Sequence, residues 1–213
     1  MQKIWVYIGR SVKADSSGQA RANESLRYKK GKKMILIKEL DNEKLEDFFQ
    51  YLAAHISENG QNGPALYFPI SKEQSILSHE LMTKFKEGIS KKMGEVGWRK
   101  AWIAFNQEGK VVGHIDIRPH NQLNSEHRVL LGMGVDIHFR NLKIGQKLLA
   151  FIIEYCRNNP KISWIDLDVM TNNVPAKNLY EKMNFEHVST TKDMFRIDNI
   201  SYDYTSMTLY VGN

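Results

Sequence analysis

Cysteine and proline are scarce in this sequence, and long apolar runs are absent. It contains one cysteine and five prolines in 213 residues. A lone cysteine excludes an internal disulfide framework, and Cys156 sits in the apolar run LLAFIIEYC, which assigns it to a buried core. Near the start, Ile4 to Ile8 is the only apolar run, too short for a secretory h-region and far below the about 20 residues that span a bilayer. The seven histidines show neither His-x-x-x-His nor Cys-plus-His spacing, so no metal is expected. A soluble, cytoplasmic chain with no membrane partner follows as the expectation.

What is present is an ordinary globular composition, 42% hydrophobic and 25% charged, long enough for one sizeable core with a small appendage. The net charge of +6 is unevenly placed. Residues 1–33 carry nine Lys or Arg against two acids, so this arm is +7 and the remainder −1. We therefore divide the chain into a basic arm, 1–33, and a domain, 34–213. The run RYKKGKK suits a weak anionic partner such as nucleic acid, or simply a solvated tail; no zinc-finger or RNP-type motif accompanies it.

Periodicity then orders the domain. MILI at 34–37 reads as a strand. Asp41 offers an N-cap to a helix with apolar residues at Leu45, Phe48, Phe49, Leu52, Ala53 and Ile56, which NGQNG stops. Ser71 and Gln74 match a capping box ahead of a second helix striped by Leu77, Leu81, Phe85, Ile89 and Met93. AWIAF (101–105) and VVGHIDI (111–117), joined by NQEGK, predict a hairpin, and VLLGMGV (129–135) a third strand. The stretch VDIHFRNLKIGQKLL then turns into a helix burying Ile144, Leu148, Phe151, Ile152 and Tyr155, which ends at Asn158, Asn159 and Pro160. WIDLDVM is a further strand, Asn173 to about Met183 a short helix with Pro175 in its first turn, and SYDYTSMTLYV a closing strand. The order implies an α/β fold: a central mixed β-sheet with helices on both faces.

Two stretches carry chemistry. RNLKIG at 140–145 opens a helix directly after a strand, where unpaired N–H groups and the helix dipole favour an anion. NNVPAKNLYEKMNF at 172–185 follows the next strand. Together they resemble the GNAT acetyltransferase superfamily, with its acetyl-CoA loop Gln/Arg-x-x-Gly-x-Gly/Ala and its following helix Asn-x-x-Ala-x-x-Leu-Tyr-x-Lys-x-Gly-Phe. The second pattern is carried by Asn173, Ala176, Leu179, Tyr180, Lys182, Asn184 and Phe185. The resemblance covers roughly residues 98 to 210. Two positions depart from it. Asn184 replaces a glycine, in keeping with its tolerance of left-handed helix caps. Lys143 stands at the first loop glycine; we expect it to be helical already, which would add a cation beside the pyrophosphate.

The resemblance implies acetyl transfer from acetyl-CoA to a primary amine by direct attack in a ternary complex. The acceptor is left open: a protein N-terminus, a lysine or a small amine. In the other function class, the chain would be a CoA-binding or nucleic-acid-associated regulator that kept the fold without catalysis. Met133 and Val135 would pair their backbones with the pantetheine arm; Asn141, Lys143, Gly145 and Gln146, with Arg140 beside them, would wrap the pyrophosphate; Asn173 and Tyr180 would lie near the reactive end.

Such residues answer a chemical need. An attacking amine must be neutral, yet a lysine with pKa near 10.4 is neutral only about once in several thousand molecules at pH 7, so a base is required. The departing thiolate needs a proton, which the Tyr180 phenol can supply on the family's pattern. For the base, Asp168 matches the position of a carboxylate in relatives that acetylate ribosomal-protein N-termini, and Asp166 shares its strand face. Asp116 with His114, in GHIDI, is another pair. The strand glutamate of other members is Val129 here.

Overall fold

The computed structural model describes residues 35–61 and 66–212, and the basic arm 1–33 lies outside them. Among these described residues seven strands form one sheet: β1 (Leu36–Glu39), β2 (Lys100–Phe105), β3 (Val111–Pro119), β4 (Arg128–Val135), β5 (Trp164–Met170), β6 (Glu186–Ile197) and β7 (Ile200–Tyr210). Their order is β1-β2-β3-β4-β5-β7-β6, with every neighbouring pair antiparallel except β4 and β5. Four helices, α1 (Leu45–Ser57), α2 (His79–Ser90), α3 (Ile144–Arg157) and α4 (Val174–Lys182), complete the mixed α/β fold. None of these helices is long and apolar enough to cross a membrane.

Side-chain alternation separates two cores. Trp102, Ala104, Ile115, Ile117, Val129, Leu131, Ile165, Leu167 and Met207 pack under α3 and α4, where Leu148, Leu149, Ile152 and Cys156 are fully buried. On the opposite face Ala101, Ile103, Phe105 and Val111 meet α1 and α2. Phe48 anchors that second core, its ring 4.9 Å from Phe85 and 5.5 Å from His114. Burying such a ring contributes about 1.5–3 kcal/mol.

The second helix departs from expectation. Ser71 and Gln74 do exchange capping-box hydrogen bonds, each 3.2 Å, but they close a turn. The loop here is wound around the buried Asn59 side chain, which bonds Tyr67 N–H, Phe68 N–H, the Ile70 carbonyl and Ser75 Oγ. Helix α2 begins only at His79, capped by Ser78, and ends at Ser90. Lys91 is extended, so Met93 leaves the stripe and packs in the α3/α4 core instead.

Candidate functional site

The parallel pair is short. β4 and β5 are in register only from Arg128 to Leu130 against Trp164 to Asp166. Beyond this, β4 stays paired to β3 as far as Val135 with Gly113, and β5 stays paired to β7 as far as Met170 with Tyr204. The sheet therefore splits into a V between Leu131–Val135 and Leu167–Met170. Asp136 N–H bonds the Val112 carbonyl of β3, so the antiparallel alternation turns Gly134 and Gly132 toward β3 and Met133 and Val135 toward the opening. An extended, amide-bearing ligand can pair with that edge as an added strand does.

The elbow follows at the wide end of the V. Asp136 accepts from His138 N–H at 2.9 Å and shapes a single 3-10 turn, Ile137–Phe139. Asn141 (φ 61°) and Lys143 (φ 60°, ψ 18°) are left-handed, and α3 starts at Ile144. This corrects the expectation of a helical Lys143: the position keeps the conformation that glycine suits, at a cost of about 1 kcal/mol for a side chain. The first turn of α3 holds no acid, leaving its N–H groups and Lys143 and Lys147 to receive an anion. Partial burial lowers the Lys147 ammonium. Gly145 sits where a Cβ would lie 2.9 Å from Leu179 Cδ2 and 3.2 Å from Met133 Cε, so its lack of a side chain lets α3 dock onto β4 and α4.

Arg140 is engaged elsewhere. Its Nε donates to the Val135 carbonyl at 3.2 Å, its Nη2 to Glu58 at 3.1 Å, and its guanidinium lies 4.8 Å over the Tyr67 ring. It ties the elbow to the end of α1. His55 lies between Tyr51 and Tyr67 in near-parallel stacks, with ring centroids 5.9 Å and 5.8 Å away.

On the α4 side, Asn173 Oδ1 accepts from Ala176 N–H at 3.4 Å, making Asn173 the N-cap of a helix with Pro175 in its first turn. Asn184 (φ 66°) closes the helix in the left-handed conformation. Tyr180 is buried, its ring 5.8 Å from Phe185. Burial, with Tyr204 adding, drives its phenol well above the ordinary range, so it is a protonated phenol.

The face of the sheet toward α1 and α2 lines the V with charge. Cross-strand partners share a face, so the register sets up rows. Asp116 pairs with Gly132, and across the opening Asp168 pairs with Ser206; one row closer to the apex lie Arg118, Leu130, Asp166 and Thr208. Asp166 is locked there by Arg128, by Thr208 Oγ1 at 2.6 Å and by His120 at 2.8 Å. Those donors outweigh burial and lower its carboxyl. Asp116 is 2% exposed and bonds Arg99 Nη1 at 2.8 Å and Arg118 Nη1 at 3.4 Å. Asp168 is exposed and accepts from Ser206 Oγ at 2.6 Å.

His114, behind Asp116, is buried and bonds the Tyr51 hydroxyl through Nδ1 at 3.1 Å. Burial pushes its imidazole down to about 3, so it is neutral. Arg99, Arg118 and the pair Gly132 and Gly134 escaped the sequence reading. Their signal was a Gly-x-Gly strand opposite His-x-Asp: a Cβ on Gly132 would lie 2.5 Å from Asp116 Oδ2, and one on Gly134 would press on His55 and His114.

Comparison with known proteins bears on the family and the fold. The sequence profile of the Acetyltransferase (GNAT) family matches residues 73–185. The L-amino acid N-acetyltransferase AaaT of Escherichia coli is 33% identical over 85 residues, 40% of this chain and 52% of that protein, so the chain spans about half the length of this curated relative. A GNAT-family acetyltransferase from Streptococcus pneumoniae superposes with a TM-score of 0.69 at 20% identity, covering 84% of this chain and 99% of that one. A GNAT superfamily phosphinothricin acetyltransferase from Sinorhizobium meliloti, solved in complex with AcCoA, superposes with a TM-score of 0.67 at 16% identity, covering 84% and 89%. With more than half of its length matched by the profile, the chain belongs to the GNAT acetyltransferase family.

Proposed function

We propose that this protein transfers an acetyl group from acetyl-CoA to a primary amine by direct attack within a ternary complex. The observation that carries the reading is the V between β4 and β5, with the acid-free, cationic N-terminus of α3 beyond its wide end and the carboxylates Asp116 and Asp168 in one row across it. The donor set fits the ligand: N–H groups of Asn141, Lys143, Gly145 and Gln146 for the pyrophosphate, and the Met133 and Val135 backbones for the pantetheine amides. Val135 offers its N–H, since its carbonyl already accepts from Arg140. Bound acetyl-CoA supplies an activated thioester carbonyl.

The chain's own residues then divide the proton work. Asp168, exposed and held by Ser206, has lone pairs left to take a proton from the incoming ammonium, directly or through water. Asp116 is buried under two arginines and is suited to holding them rather than to exchanging protons. Tyr180, kept protonated by burial, gives its proton to the leaving sulfur. Asn173, whose side-chain oxygen caps α4, would contact the ligand with its amide N–H.

A thiol-release screen over free amino acids, polyamines and peptide N-termini tests the reading. Acceptor-dependent release of CoA with formation of an acetylated acceptor supports it. Tight acetyl-CoA binding without release for any acceptor would replace it with a CoA-binding role.

A further inference from the structure

Arg118 has no evident task in the chemistry above, although its place is unusual. It lies on β3, one row nearer the apex than Asp116, yet its guanidinium folds forward: Nη1 would be 3.1 Å from a Cβ placed on Gly132. It thus lies over Gly132, one of the two residues of β4 that carry no side chain on this face of the V. Its ion pair is weak, a single 3.4 Å contact to Asp116 Oδ1, an oxygen that Arg99 Nη1 already holds at 2.8 Å. A guanidinium has five N–H donors in a planar fork, so most of Arg118's remain to be used. The side chain is 36% exposed, against 10% for Arg99.

The charges around the opening sort accordingly. Arg99 and Asp116 neutralise each other inside the fold. That leaves Arg118 on one side of the V and Asp168 on the other, on strands two apart. Their backbones are about 10 Å apart where the strands are still paired, and the inward reach of the guanidinium shortens that gap. Tyr204, raised by burial and by Asp168 and opposed by Arg118, stands within the field of both. A polyamine or lysine side chain would set a cation against Arg118. An acceptor with an anion one or two bonds from its amine would satisfy both sides.

We infer that the acceptor is an amino-carboxylate, such as a free α-amino acid, whose carboxylate is seated by Arg118 while its amine faces Asp168. This rests on the acetyl-transfer reading and narrows its substrate class. Arg118 is then a specificity residue: a bidentate fork for the carboxylate, placing the amine at the end of the V.

The test compares free L-amino acids with their primary amides, which keep the amine and lose the anion, as acceptors for the whole protein in thiol-release kinetics. Losing a charge-assisted hydrogen-bonded pair should lower kcat/KM for the amide on the order of 10- to 100-fold, mainly through KM. In Arg118→Gln the ratio of acid to amide should fall toward one, and Arg118→Lys should restore part of it. Amides or peptide amides that match the acids in the unmodified protein would overturn the inference while leaving acetyl transfer standing, as would an unchanged ratio in Arg118→Gln. No thiol release with any amine overturns both readings together.

Discussion

Asp116 and Asp168 lie on one face of the sheet, in one row, on opposite sides of the V, and their environments differ sharply. Asp116 is buried and ion-paired to Arg99 at 2.8 Å, whereas Asp168 is exposed and held by the Ser206 hydroxyl at 2.6 Å. On the proposed mechanism these two carboxylates have separate tasks, one structural and one chemical.

Substitution should separate those tasks. Asp168→Asn should leave the urea midpoint nearly unchanged and lower kcat by about 10²–10⁴-fold. Asp116→Asn leaves the buried Arg99 without its counter-ion and should cost about 3–5 kcal/mol of unfolding free energy. Equal loss of stability in the two variants would remove the distinction.

Tyr180→Phe keeps the ring against Phe185 and deletes the hydroxyl proposed to protonate the leaving sulfur. Turnover should fall about 10²–10⁴-fold, with little change in acetyl-CoA affinity. An unchanged kcat would show that Tyr180 is only a core aromatic.

Lys143→Gly relieves a side chain held at φ 60° and should raise stability by about 1 kcal/mol, read as a higher unfolding midpoint. The same change removes a cation from the α3 N-terminus, so acetyl-CoA should bind more weakly. Lys143→Ala should weaken binding without the gain in stability.

Much of this site is legible in the sequence where its signals are local. Helix α4 lies within a residue of its expected bounds because Asn173, Pro175 and Asn184 each act on their own turn. Strand β5 coincides with WIDLDVM for the same reason. The Ser71 and Gln74 box was also real, but the loop's bonds to Asn59, twelve or more residues upstream of them, decided that it caps a turn. Arg118 and Gly132 were hidden for a related reason: their proximity depends on the pairing of β3 with β4, which no spacing along the chain displays. Lys143 shows the remaining case, where contacts of Ile144 and Gly145 with the core impose a backbone conformation that local preference resists.

Stability should also report on the neutral His114. Its folded pKa is depressed to about 3, below the unfolded value, so between those limits the unfolded chain binds the extra proton. Stability from this residue is present above about pH 6.5 and lost as pH falls toward 3, with a limiting slope of about 1.4 kcal/mol per pH unit. Urea unfolding between pH 7 and about 4.5 should show this slope, and His114→Gln should flatten it. An unaltered slope in the variant would assign the loss to other groups.

The most direct test of the account is the initial rate of thiol release measured while acetyl-CoA and an accepted amine are varied together. Direct transfer in the V predicts release that depends on the amine and double-reciprocal lines that intersect, because both reactants must be bound at once. Parallel lines would indicate an acetylated enzyme intermediate, and release that ignores the amine would indicate hydrolysis; either result contradicts direct attack within a ternary complex.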